Sequence, residues 1–377
     1  MTGPALAHTG EGGFVLLLPT VYYLLGGTLA VAASFGLVAL APVGLLQRRA
    51  QGHWRLCRLP ALDPVVTSSL TALLLVILAV AGFIGNRDPL DNPLPLTIWT
   101  IWWVGLPMVQ ALFGNLWAYL NPWIAPGRLI LRLLGRYKPA LQQPLLPYPD
   151  WLGYWPAMLA FFGFAWFELI YPAPADPAHL AIVVIVYSGW TLCGMILFGE
   201  DTWLARAEPF TIFFALVARM SPIAVMPGKA ARLHSRDLYL VCPGASLLNL
   251  SPLSISGAIF ILQILATVTF DGLGRTFWWL GLIGVNPLDF PGRSAVTDIM
   301  TLGLLGTWLT LVIGYLTAVW LGFIWAGRSA SDPARFLQAA GALVVSILPI
   351  SIAYHIAHYL TEFLVNIQDF WVAISDP

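Results

Sequence analysis

Eight long apolar runs divide this chain, and each is long enough to matter. A bilayer crossing takes about 20 helical residues at roughly 1.5 Å each. The runs cover 14–46, 65–85, 96–120, 152–170, 179–199, 254–270, 299–326 and 336–365. Charged residues make up only 10% of the chain and hydrophobic ones 59%. A soluble domain carries about 25% charge. The solvent implied is lipid, where every backbone polar group needs an internal partner and helices supply it. The fold expected is all-α, a polytopic membrane helix bundle of eight transmembrane helices with both termini outside.

The basic residues test the count of eight independently. Arg48, Arg49, Arg55 and Arg58 lie between the first two runs, and Arg128, Arg132, Arg136 and Lys138 between the third and fourth. Arg206, Arg219, Lys229, Arg232 and Arg236 follow the fifth, and Arg328 and Arg335 the seventh. Fifteen of the 18 Lys and Arg thus fall on one side, against Arg87, Arg275 and Arg293 on the other. The positive-inside rule makes the rich side cytoplasmic. Adding or removing one span would scramble this separation. Many tryptophans, among them Trp99, Trp102, Trp117 and Trp123, fall near predicted span ends, where an indole ring is apolar and its N–H stays wet. The first 13 residues carry no Lys or Arg, so the first run is expected to be kept rather than cleaved as a signal peptide.

A net charge of zero gives no electrostatic case for nucleic acid. Cys57, Cys193 and Cys242 are scattered and form neither a disulfide framework nor a CxxC pattern. The chain reads as one membrane domain over 1–377 with a cytoplasmic elaboration at about 201–253. Within it, Pro209 to Arg219 is apolar but too short to span, which predicts an interfacial helix. Glu200, Asp201, Arg206 and Glu208 read as ion pairs at a solvated helix end. The segment from Asp237 predicts a strand closed by the Pro243-Gly244 turn.

Function points to the last run. His355, His358 and Glu362 fall within roughly a 60° arc of one helix face. Ionisable groups inside a membrane are costly and mark function by default. If the helix enters lipid near Ala339, His355 stands about 24 Å up and His358 about 28 Å, towards the outer face. Glu168 and Asp271 lie near the outer ends of their own spans and reach the same level. Imidazole and carboxylate together suit a divalent metal such as zinc, iron, manganese or copper. The candidate set is therefore His355, His358 and Glu362 as metal ligands with Glu168 and Asp271 as catalytic carboxylates. Plain structure explains the same residues in other ways: neutral histidines bonded to neighbouring helices, Asp271 ending a helix beside Gly272, and Glu168 reaching water from near the interface.

Several stretches are familiar together: Gly27-Thr-Leu-Ala-Val-Ala-Ala-Ser34-Phe35, Trp99-Thr-Ile-Trp102-Trp103, Leu120-Asn121-Pro122-Trp123, Phe164-Ala-Trp166-Phe-Glu168, Thr269-Phe-Asp271-Gly272 and Ala353-Tyr-His355-Ile-Ala-His358-Tyr359. In these the chain resembles the bacterial integral-membrane fenitrothion hydrolase-like proteins, along most of its length. That resemblance implies a multi-pass protein of the bacterial inner membrane that hydrolyses organophosphate triesters, as a homo- or hetero-oligomer with a related membrane subunit. The resemblance supplies no catalytic residues, so the set above rests on the residues alone. Two other classes stay open: a redox subunit with haem or copper on His355 or His358, and a transporter. An absorption spectrum separates the first; against the second stands the lack of an inverted repeat.

Overall fold

The computed structural model describes residues 20–40, 44, 48, 52–60, 62–138, 143–226, 235–286, 292–327 and 332–375. It is a helix bundle with one small sheet. The elements in chain order are α1 (Thr20–Leu40), β1 (His53–Pro60), α2 (Pro64–Ile84) and α3 (Pro93–Phe113). Then come α4 (Ile124–Tyr137), α5 (Trp155–Leu169), α6 (Pro177–Phe198), α7 (Glu200–Arg206) and α8 (Pro209–Ala218). After β2 (Ile223–Met226) and β3 (Ser235–Val241) follow α9 (Ile255–Leu273), α10 (Phe277–Leu282), α11 (Arg293–Trp325), α12 (Pro333–Leu343) and α13 (Leu348–Ser375).

Six of the described helices are long and apolar enough to cross a membrane: α2, α3, α6, α9, α11 and the continuous Pro333–Val372 stretch. This agrees with a multi-pass helical bundle. The expected span over 14–46 lies partly outside the described residues, and its described part is α1. The span expected over 152–170 forms α5, whose 15 residues rise about 22 Å, less than the hydrocarbon thickness.

Starts are set by local chemistry. Asp63, Asn92, Asp176, Ser254 and Asp332 cap α2, α3, α6, α9 and α12 through side-chain oxygens that accept backbone N–H groups. All but Ser254 are followed by proline, which loses nothing at a first helical position because that N–H has no helical partner.

Contacts between connections sort the bundle into two ends. At the basic end, Arg128 grips Glu200 with two hydrogen bonds of 2.7 and 2.8 Å, Arg206 lies 3.6 Å from Asp150, and Leu253 N–H donates to the Gly341 carbonyl. The sheet joins this end, with order β1-β3-β2 and antiparallel pairing throughout. The strand expected after Asp237 is β3; its partner β1 comes from the connection before α2. At the opposite end, Arg293 donates to the carbonyls of Glu168 and Tyr171.

Asp237 of β3 lies 2.9 Å from both Arg55 and Arg58 of β1. The Arg58 hydrogen bond, helped by the charge of Arg55, holds the Asp237 carboxyl below its ordinary value. A carboxyl depressed in the folded state stabilises above its unfolded pKa and loses that contribution as pH falls through the folded one. Protection of the β1 amides, taken relative to their intrinsic exchange rates, should therefore fall below about pH 4. Asp237→Asn should raise exchange at neutral pH and flatten this acid response. A β1 equally protected in both proteins would show that the ion pairs do not hold the strand.

The segment 199–221 departs from expectation. Gly199 turns the chain at the end of α6 with φ +87°, a region that L side chains rarely adopt. α7 then folds back along α6, with the Trp203 indole lying directly on Gly194, where any side chain would collide with the ring. The carboxylate of Glu208 accepts the hydroxyl of Tyr187, which sits on α6 about 16 Å before its end at Phe198. From there α8 returns towards the basic end, and Ser221 Oγ donates to the Leu112 carbonyl near the end of α3. Phe210, Phe213 and Phe214 are buried in the main core. The helix expected at the interface is thus an interior, re-entrant one. Glu208, expected at a solvated end, is fully buried.

Candidate functional site

The polar cluster forms where α9, α13 and α5 meet near the end opposite the basic one. Thirteen of the 19 residues of α9 are buried, so Asp271 in its last turn cannot reach water. Its side chain is only 2% exposed. Three donors surround it. His358 Nε2 is 2.8 Å from Oδ2, the Tyr359 hydroxyl donates to Oδ2 at 2.9 Å, and Arg275 lies 2.8 Å from Oδ1 one turn further on. A carboxylate out of water is tolerable only when paired and hydrogen-bonded, and Arg275 supplies the balancing charge. The Tyr359 hydroxyl also lies 3.3 Å from Glu168 Oε1, so it joins the two carboxylates.

His358 is partly open, with 22% of its side chain exposed. A carboxylate can only accept, so Nε2 carries the hydrogen and the lone pair of the neutral ring sits on Nδ1. Nδ1 has no hydrogen-bond partner among the described residues. Gly272 lets this corner form. A side chain there would come within 3.0 Å of the Tyr354 hydroxyl.

His355 faces another way. It is buried, and its Nε2 donates to the Trp103 carbonyl at 3.3 Å. Local sequence explains why that carbonyl is available. In an α-helix it would accept from residue 107, but Pro107 has no N–H. The helix here adopts wider π turns over Leu96–Gly105, with Leu106 N–H reaching back to the Ile101 carbonyl. His355 also packs at right angles to the Trp103 ring and at a tilt to Tyr359, with ring centres 5.0 and 4.8 Å away. It ties α13 to α3.

Of the expected set, Asp271, His358 and Glu168 are brought together, with Tyr359 as the link. The three expected metal ligands take separate partners: His355 the Trp103 carbonyl, His358 Asp271, and Glu362 Asn366 Nδ2 at 3.5 Å. Among the described residues, no group of three or more His, Cys, Asp or Glu stands together as a metal-holding set. Arg275 was missed by the sequence reading, although its place four residues after Asp271 on a helix end was a readable signal.

No family model matches the chain. Searches of curated proteins and of solved structures also returned no match. Functional inference therefore rests on the cluster itself. An imidazole oriented by a buried carboxylate, with its second nitrogen open, is an arrangement that can take a proton from water or a hydroxyl group.

Proposed function

We propose that this protein is an integral-membrane hydrolase that uses the Asp271–His358 pair as its general base on apolar, phosphotriester-like substrates. The observation that carries the reading is the 2.8 Å contact that turns His358 Nδ1 outward from a buried carboxylate. The fenitrothion hydrolase-like resemblance supplies the substrate class. An apolar aryl phosphotriester partitions into the bilayer and reaches the cluster from the side. His358 Nδ1 takes a proton from water as the water oxygen bonds to phosphorus. The P–O bond to the aryl group then breaks, and the departing aryl oxide receives the proton. Arg275, paired with Asp271 and 42% exposed, offers positive charge to the phosphoryl oxygen.

Membranes holding the protein should release the aryl alcohol from such a triester, and reaction in ¹⁸O-water should place the label on the phosphodiester product. Absence of release across aryl phosphotriesters would sink the reading. Metal analysis of the same preparation is part of the test. A divalent ion whose content tracks activity would pass the water-activating role from His358 to the ion.

One observation favours a second reading, transport. The chain breaks at Glu208 between α7 and α8 deep in the bundle, and broken helices with a buried carboxylate are a feature of transporter sites. Proton-coupled currents in proteoliposomes that vanish in Glu208→Gln would favour it.

For topology we propose eight spans with both termini outside and the basic end in the cytoplasm of the bacterial inner membrane. The 15-to-3 division of Lys and Arg supports this. Alkaline phosphatase fused after Asp376 should be active. A fusion there that works only as a cytoplasmic reporter would overturn the orientation.

A further inference from the structure

A second feature lies away from the Asp271 cluster. A partly open cavity of about 720 Å³ is lined by α2, α3, the connection 117–123, α5, α6 and the start of α8. Its size falls within the range of small-molecule sites, about 300–1,000 Å³. Phe164, Trp102, Phe210 and Tyr187 are among its lining residues. Phe210 is only 2% exposed, so the cavity reaches well inside the bundle. Among the described residues, no Asp, Glu, Lys, Arg or His lines it.

The polar atoms around it are largely occupied. The Trp99 indole N–H donates to the Pro174 carbonyl, that of Trp117 to Thr211, and that of Trp123 to Ser188. The Tyr187 hydroxyl is held by Glu208. The wall therefore offers ring faces and aliphatic groups to whatever enters. A charged group brought inside would lose its hydration with no counter-charge to replace it.

The mouth opens between α5 and α6. Leu159 on one lip is 76% exposed and Val186 on the other 65%. Gly163, one turn beyond Leu159 on α5, has only open space where a side chain would start. Val186 lies nine residues into the 22-residue α6, about 13 Å from its start. In a hydrocarbon layer of about 30 Å, that is close to mid-depth. Headgroups do not reach this level, so lipid chains are what the bilayer presents at the mouth.

We infer that this chamber binds one hydrocarbon chain of a membrane lipid, taken in sideways between α5 and α6 with its headgroup left outside. The site is separate from the Asp271–His358 pair, and its test contains no activity measurement.

The full chain is reconstituted into nanodiscs of phosphatidylcholine bearing a diazirine at mid-chain, irradiated, digested and mapped by mass spectrometry. Label is expected on Phe210 inside the chamber as well as on Leu70, a 64% exposed residue of α2 outside it. Gly163→Phe fills the mouth from α5, and Val186→Trp narrows it from α6. Each folded variant should lower the Phe210 label at least tenfold and leave the Leu70 label unchanged. Gly163→Ala should keep both. If Leu70 is labelled and Phe210 is not, the chamber holds no lipid chain. If Phe210 label persists undiminished in the folded mouth variants, the chain arrives by another route and the inference falls.

Discussion

His358→Gln is expected to lower phosphotriester hydrolysis by about 10²- to 10⁴-fold, the usual worth of a positioned general base. Glutamine still donates to Asp271 Oδ2 from a side chain of similar reach, so the buried carboxylate keeps a partner. What disappears is a basic lone pair on the outward side, because the amide oxygen that replaces it is far too weak a base to take a proton from water. Asp271→Asn should cost a comparable factor for a different reason. An amide that presents its NH₂ to the ring favours the tautomer with hydrogen on Nδ1, which leaves the basic nitrogen facing inward. Arg275 would also lose its counter-charge, so this variant needs a stability measurement beside the rate. Tyr359→Phe keeps the dyad and should have a smaller effect, about tenfold or less. His355→Gln is the control: its amide can still donate to the Trp103 carbonyl, so activity should stay within about threefold while stability falls by roughly 1 kcal/mol. A folded His358→Gln that keeps full activity would remove imidazole from the chemistry. Loss of activity in His355→Gln alone, with the fold intact, would move the site towards α3.

These contrasts follow from what sequence can and cannot encode. Depth along a helix is readable, because the rise per residue is fixed. Counting from either end of α9, α13 and α5 brings Asp271, His358 and Glu168 to one level, and the structure joins them through Tyr359. Direction is harder. His355 and His358 differ by only about 60° around α13, yet one faces α3 and the other α9. Which helix stands on each side is a property of the whole bundle and leaves no local trace. The strand β1 is hidden in another way: in the sequence its arginines count as topological charge, and nothing local marks them as partners for Asp237. For α8 a usable signal existed. Pro209–Ala218 is apolar on every side, whereas a helix lying at an interface needs a polar face. Length excluded a full crossing, and the all-round apolarity pointed to the interior.

Glu208→Ala should destabilise the protein by about 2–5 kcal/mol, measured by reversible unfolding in mixed micelles. The carboxylate does two jobs at the break between α7 and α8. Its Oε1 accepts from Phe210 N–H at 3.1 Å and Oε2 from Thr211 N–H at 2.6 Å, which caps the first turn of α8. Loss of such a cap costs about 0.5–2 kcal/mol in water-exposed helices, and a helix start buried in the core has no water to replace it. Oε1 also accepts the hydroxyl of Tyr187, which a methyl group would leave stranded for about 1–3 kcal/mol more. Tyr187→Phe removes that second penalty in advance. The double variant should therefore be less destabilised than the sum of the singles, the coupling expected of residues in direct contact. Glu208→Gln keeps an acceptor oxygen for the helix start and should lose only about 1–2 kcal/mol. The chain entering α8 is braced further by Thr211 Oγ1, which holds both the Trp117 indole and Asn121 Nδ2 at 3.1 Å. A Glu208→Ala protein within about 0.5 kcal/mol of the parent, an ordinary surface value, would mean that the re-entrant turn is held by aromatic packing alone.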